Sequence, residues 1–216
     1  MGKQTPSVLK KIKINLNKNF SSIEYSNTWK LTKINKSYFY KDKNTLIKLN
    51  SNYIYSKGLL ENLCLAIKIA LDLKIDKNII ERNIPKIKFQ GRINYLNKGK
   101  LIKALHKNEK LLIDGCHSET SAKNLFNYLK TLKIPIFGIW GMTKNKNPKT
   151  FIKQFNGIFQ KIITIPIENE PYSLSNKLLF KIAKENNYSA ETSKNLKDAL
   201  NKISSNKRKI ICVLDL

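Results

Sequence analysis

The chain has 216 residues, of which 41% are apolar, and carries 41 Lys and Arg against 15 Asp and Glu, a formal charge of +26. That length and apolar content give one large or two small folded domains. The charge invites a polyanion partner, but Arg82, Arg92 and Arg208 are the only arginines; the remaining Lys, with abundant Asn and Ile, is what AT-rich codons encode. The lysines run through every segment instead of clustering with aromatics, which disfavours a dedicated nucleic-acid stripe and leaves a non-specific, salt-sensitive affinity.

In chain order, Pro6 fits a first helical turn capped by Thr5, with Val8, Ile12 and Leu16 at four-residue spacing. Ile23 to Tyr40 alternates loosely and is rich in aromatics, which predicts strands around Trp29-Lys30-Leu31 and Tyr38-Phe39-Tyr40. A turn at Asp42-Lys43-Asn44 leads to a short strand, Thr45 to Leu49. Leu59 to Leu73 reads as an amphipathic helix with Leu63, Ala66, Ile67, Ala70 and Leu71 on one face. Asp76 caps a short helix through Arg82, and the Lys-rich connector Pro85 to Gly91 marks a boundary between domains 1–86 and 87–216.

Beyond the connector, strands and helices alternate. A strand at Leu101 to Leu105 is expected to pair with Lys110 to Ile113 across His106-Lys107-Asn108-Glu109. The run Leu111-Leu112-Ile113 is broken by Asp114 and Gly115, and Ser118 caps a helix, Glu119 to Leu132, with Ala122, Leu125, Phe126 and Leu129 inward. Ile134 to Trp140 is a nearly unbroken apolar strand, followed by the polar loop Thr143 to Pro148 and a helix from about Lys149 to Phe155. A strand at Lys161 to Ile167 comes next. Helix Leu174 to Asn186 follows with Leu178, Leu179 and Ile182 inward, then a last helix capped by Ser193 and a final strand, Ile210 to Leu214. This pitch predicts an α/β fold with a doubly wound, mostly parallel sheet. Asp114 and His117 then lie between a strand's carboxyl end and a helix's amino end, where such sheets bind ligands and free backbone N–H groups meet anions.

Cys64, Cys116 and Cys212 are odd in number and lack CxxC spacing, which disfavours a disulfide framework and a zinc site and suits a reducing cytosol. Cys116 adjoins His117, but neighbours in a turn seldom face each other, so it reads as a small filler. No signal-peptide core or bilayer-length apolar run occurs, and a cytoplasmic chain is expected.

The string Asp114-Gly115-Cys116-His117 before a helix resembles the DGAHNP motif of folylpolyglutamate synthases and bifunctional dihydrofolate synthases. Gly115 separates it from related cell-wall amino-acid ligases, which carry Tyr there. Gly2-Lys3-Gln4 is similar to a Gln-containing turn of the family, Gln90-Gly91-Arg92 to its PGR element, and Lys146 to the lysine of its Lys-Asp turn. Asn62 is what remains of HQxxNA, with Leu59 and Leu63 replacing Gln and Ala; it reads equally as a solvated first-turn residue. Departures are Ser118 for Asn, Asn147 for Asp, and Cys212-Val213-Leu214 where Gly-Ser is usual.

The resemblance implies ATP-dependent amide synthesis: a carboxylate on dihydropteroate or a folate is phosphorylated, and the amino group of glutamate displaces phosphate. Asn62, Arg92, Asp114 and Lys146 would then meet ATP, and Asp114 and His117 would be the catalytic residues, His117 arranging the amino acid. It also implies a Rossmann-like C-terminal ligase domain preceded by the tail of a P-loop ATPase-type α/β domain, the chain being N-terminally truncated. No GxxxxGK[ST] string occurs in the sequence, so the P-loop and the Mg²⁺ ligands are expected in a missing N-terminal part, and the chain alone is expected to be inactive. Two readings stay open: a ligase portion that works with a separate chain carrying the P-loop half, or a non-catalytic remnant that binds a nucleotide or a partner.

Overall fold

The computed structural model describes residues 2, 4–15, 27–51, 54 and 56–215. The chain divides into two compact units, Met1–Lys88 and Phe89–Leu216.

In the first unit, helix α1 (Pro6–Asn15) begins as the Pro at its first position predicts, with the Thr5 hydroxyl accepting from the Val8 N–H at 3.4 Å. None of its residues is buried; Leu16, expected on its apolar face, lies outside the described residues. Strands β1 (Trp29–Ile34), β2 (Ser37–Asp42) and β3 (Leu46–Lys48) form an antiparallel meander. Asp42 fixes its second turn by accepting from the Asn44 and Thr45 amides at 2.9 and 2.7 Å, while the Tyr40 hydroxyl donates to its other oxygen at 2.6 Å. Trp29 and Tyr40 stack at 6.4 Å between centroids.

Helix α2 (Lys57–Asp72) is capped by Ser56 and buries Leu60, Leu63, Cys64 and Ile67. That stripe corrects the sequence expectation: Ala66 is exposed, because the i, i+3, i+4 row starts at Leu60 and leaves Ala66 on the other side. Asp76 caps α3 (Lys77–Asn83) through the Asn78 N–H at 2.8 Å.

In the second unit, a six-stranded sheet runs in the order β4 (Asn94–Leu96), β5 (Glu109–Asp114), β9 (Lys209–Leu214), β6 (Ile136–Trp140), β7 (Phe159–Thr164), β8 (Ala190–Thr192). Only β4 is antiparallel to its neighbour. The mostly parallel α/β sheet expected from the alternation is therefore present.

Side-chain parity sorts the apolar residues to two faces. Leu112, Ile136, Trp140, Ile162, Ile210, Cys212 and Leu214 pack against α4 (Glu119–Leu129), α5 (Pro148–Lys153) and α6 (Asn176–Glu185). Leu111, Ile139, Ile163, Ile211 and Val213 pack against α7 (Leu196–Ile203) and a 3₁₀ turn, Ile102–Ala104. Because both faces are covered, the strands read as unbroken apolar runs.

Several expectations fail locally. Leu101 to Leu105 is no strand: Leu101, Ile102 and Leu105 sit on one side of the 3₁₀ turn and pack onto the α7 face, and β4 takes the edge beside β5. Leu178 is 43% exposed, and the buried row of α6 is Leu179, Ile182 and Ala183. Ser193 does not cap α7; Asn195 does, and the Ser193 hydroxyl donates to Asp198 at 2.5 Å. β8, three residues long, is too short to show a period in the sequence.

Candidate functional site

At the carboxyl ends of β5 and β9 stand two acids, Asp114 and Asp215. β5 ends at Asp114, which opens a loop to α4. The loop closes as its sequence dictates: Ser118 accepts from the Ser121 amide at 3.2 Å, the Ser121 hydroxyl accepts from the Ser118 amide at 3.0 Å, and Glu119 stands in the first turn.

The loop is tied by main chain to the segment that carries Arg92. The Gly115 N–H donates to the Gly91 carbonyl at 2.8 Å. Gly91 has φ +68° and Ile93 φ +46°; a β-branched residue in that region is strained. The Ile93 amide donates to Asp114 Oδ2 at 2.8 Å, which holds the strained turn. Arg92, between the two, donates from its guanidinium to the Gly115 carbonyl at 2.8 Å and stands 3.8 Å from Asp114 Oδ1. His117 Nδ1 lies 3.0 Å from the same carbonyl. Since a carbonyl only accepts, Nδ1 carries the proton in that contact, and Nε2 is left to accept from, or once protonated donate to, a ligand.

Electrostatics follow from burial. Asp114 is 5% exposed; burial pushes its carboxyl above the ordinary carboxylate range, opposed by the Ile93 amide, Cys116 and the Arg92 charge. Cys116 is fully buried, and its thiol is pushed up by burial and by the neighbouring Asp114 charge, as suits a filler rather than a nucleophile.

Arg92, Asp114 and His117 are thus brought together by short contacts. Lys146, in the loop after β6, belongs to the same unit and acts on this edge through its charge at Asp215. Asn147 next to it caps α5 through the Thr150 amide at 3.2 Å. Asn62 is exposed on the first turns of α2, in the first unit. Sequence reading missed Asp215, one residue past β9, where the charges of His117, Lys146 and Arg92 converge. The available signal was an acid at the end of an apolar run, Val213-Leu214-Asp215, of the same form as Leu112-Ile113-Asp114.

Among the described residues, no group of three or more His, Cys, Asp or Glu side chains could hold a metal ion. No helix among them is long and apolar enough to cross a membrane.

No family model and no curated protein matches the sequence. Solved structures do match the fold. Folylpolyglutamate synthase of Mycobacterium tuberculosis complexed with ADP aligns with TM-score 0.84 at 14% identity, over 99% of this chain and 51% of that one. The folylpolyglutamate synthase of Thermotoga maritima aligns with TM-score 0.72 at 21% identity, over 98% and 50%. The bifunctional folylpolyglutamate synthase/dihydrofolate synthase of Yersinia pestis, complexed with AMPPNP and Mn, aligns with TM-score 0.75 at 14% identity, over 98% and 48%. The chain spans about half the length of the solved structures it matches. Over that half it has the fold of the folylpolyglutamate synthases, its mostly parallel sheet corresponding to their C-terminal domain.

Proposed function

We propose that this chain is the nucleotide- and amino-acid-positioning portion of an ATP-dependent ligase that joins glutamate to dihydropteroate or a folate. The observation that carries the reading is the Arg92–Gly115–His117 contact set at the carboxyl edge of a parallel sheet with a ligase fold.

Phosphoryl transfer and acyl capture depend chiefly on positioning and charge neutralisation. The Arg92 side chain is 41% exposed while one of its amines is bonded to Gly115, so its outer edge suits a phosphate. Asp114 is committed to the Ile93 amide and buried; its role is to position Arg92. Once protonated, His117 Nε2 can donate, with the Lys146 ammonium, to the carboxylate of the amino acid. ATP, when bound, supplies the phosphoryl group that activates the acceptor carboxylate. The sequence holds no P-loop string; the reading assigns phosphate cradling and the Mg²⁺ ligands to a P-loop-bearing portion or partner chain.

The test is calorimetric titration of the purified chain with ADP, beside a ligation assay. Wild type binds ADP; Arg92→Ala weakens binding about 10- to 100-fold, the worth of a charged hydrogen bond, and Arg92→Lys restores part of it. The chain alone ligates no glutamate, and supplying a P-loop half restores product. Turnover by the chain alone, or ADP binding indifferent to Arg92, overturns the reading. The use of Asn147 as a helix cap favours a second reading, a nucleotide-binding remnant; retained ADP binding with no turnover in the supplemented assay would support it.

A further inference from the structure

β9 leaves the sheet through Asp215, whose φ of +50° lies in the left-handed region that side chains seldom adopt. Its amide donates to the Asp114 carbonyl at 3.1 Å, which ties it beside the loop bearing His117. Its Oδ2 atom is shielded from solvent and, among the described residues, has no hydrogen-bond partner. Native structures seldom tolerate such an oxygen without a reason. Burial pushes the carboxyl up to about 6, against the charges of His117, Lys146 and Arg92. None of these three side chains donates to that oxygen among the described residues.

We propose that Asp215 binds the ammonium group of an incoming amino acid, its free oxygen accepting an N–H, while His117 and Lys146 receive the amino acid's carboxylate. An ammonium brings donors and positive charge together, meeting the oxygen's want of a donor and the carboxylate's want of a counter-ion. A ligand with carboxylates alone meets repulsion from Asp215 instead. The inference rests on the ligase reading, since amide synthesis needs an amine at this edge, and it assigns a residue that the family-like motifs do not include.

The full chain is titrated calorimetrically with L-glutamate and with glutarate, which lacks the amino group. Wild type prefers glutamate by about tenfold or more. Asp215→Asn lowers glutamate affinity about tenfold and leaves glutarate unchanged or tighter, so the preference vanishes. Equal losses for both ligands, no loss for either, or no glutamate binding by wild type overturns the inference. Should the variant not fold, carbon-13 titration of Asp215 in the wild type decides. Saturating glutamate then lowers the carboxyl from about 6 and glutarate does not; an unmoved value overturns it. Arg92-dependent ADP binding tests the ligase reading separately, so the two failures are distinguishable.

Discussion

The two ends of β5 and β9 carry charge in opposite ways. At the amino ends Glu109 and Lys209, ladder partners, form a buried ion pair at 3.5 Å. Every demand there is met. Glu109 accepts from the His106 amide, the Ser204 hydroxyl and the Ser205 amide at 2.9, 2.6 and 2.8 Å. Lys209 donates to the Ile203 carbonyl at 2.8 Å and the Ser205 hydroxyl at 2.5 Å and lies over the Phe137 ring. Burial alone would raise the Glu109 carboxyl, but these bonds and the Lys209 charge hold it below its ordinary value. At the carboxyl ends Asp114 and Asp215 are raised instead, by burial that their partners do not offset. Satisfied charge closes one end of the sheet; at the other, Asp215 keeps one oxygen without a partner among the described residues.

The comparison can be broken most forcefully at the closed end. Lys209→Ala leaves Glu109 buried without its counter-ion and is expected to cost about 3–5 kcal/mol, read from urea unfolding at neutral pH. If the loss stays below 1 kcal/mol or so, the pair is no better satisfied than a surface one. At the open end, Asp114→Ala strands the Ile93 amide and is expected to cost about 1–3 kcal/mol by the same measurement.

Stability against pH sharpens the contrast in sign. Glu109, lowered in the fold, contributes stability above its ordinary value of 4.5 that is lost as pH falls. Asp215, raised from 3.8 to about 6, does the reverse: its contribution is present below 3.8 and is lost as pH rises through about 6. Asp215→Asn should therefore flatten the decline between pH 4 and 6, and Glu109→Gln the decline in acid. Unfolding midpoints across that range decide; a profile unchanged by either substitution contradicts the assignment. The smallest effect is reserved for a pair at neither end. Lys123 and Glu119 meet at 2.9 Å on the exposed face of α4, and Lys123→Ala should cost only about 0.3–0.5 kcal/mol.

The parts of this arrangement that the sequence disclosed are those with local rules. The break after Leu111-Leu112-Ile113 and the Ser118 cap announce a strand, loop and helix, and the loop is where Asp114 and His117 lie. Arg92 is marked by its place in Gln90-Gly91-Arg92, the string similar to the PGR element. Other parts depend on the fold as a whole. Leu101 to Leu105 reads as a strand because a five-residue apolar run has no distinguishing period, and only the neighbouring β4 settles which segment takes the edge. The strain at Ile93 has no sign in the sequence, since nothing in its side chain asks for a positive φ; its amide is met by the Asp114 carboxylate from 21 residues away. The place of Asp215 beside Asp114 has no such local sign, since the two meet only when β9 is inserted between β5 and β6.

That insertion has a further consequence. The three strand ends at the open edge are joined by amides and carbonyls: Gly115 to Gly91 at 2.8 Å, Asp215 to Asp114 at 3.1 Å, and Gly141 to Leu214 at 3.4 Å. None of these ties depends on what side chain projects from position 92, 117, 146 or 215. The rim can thus keep its shape while its occupants are exchanged, which makes it a platform on which specificity is free to drift over evolutionary time without the framework being rebuilt.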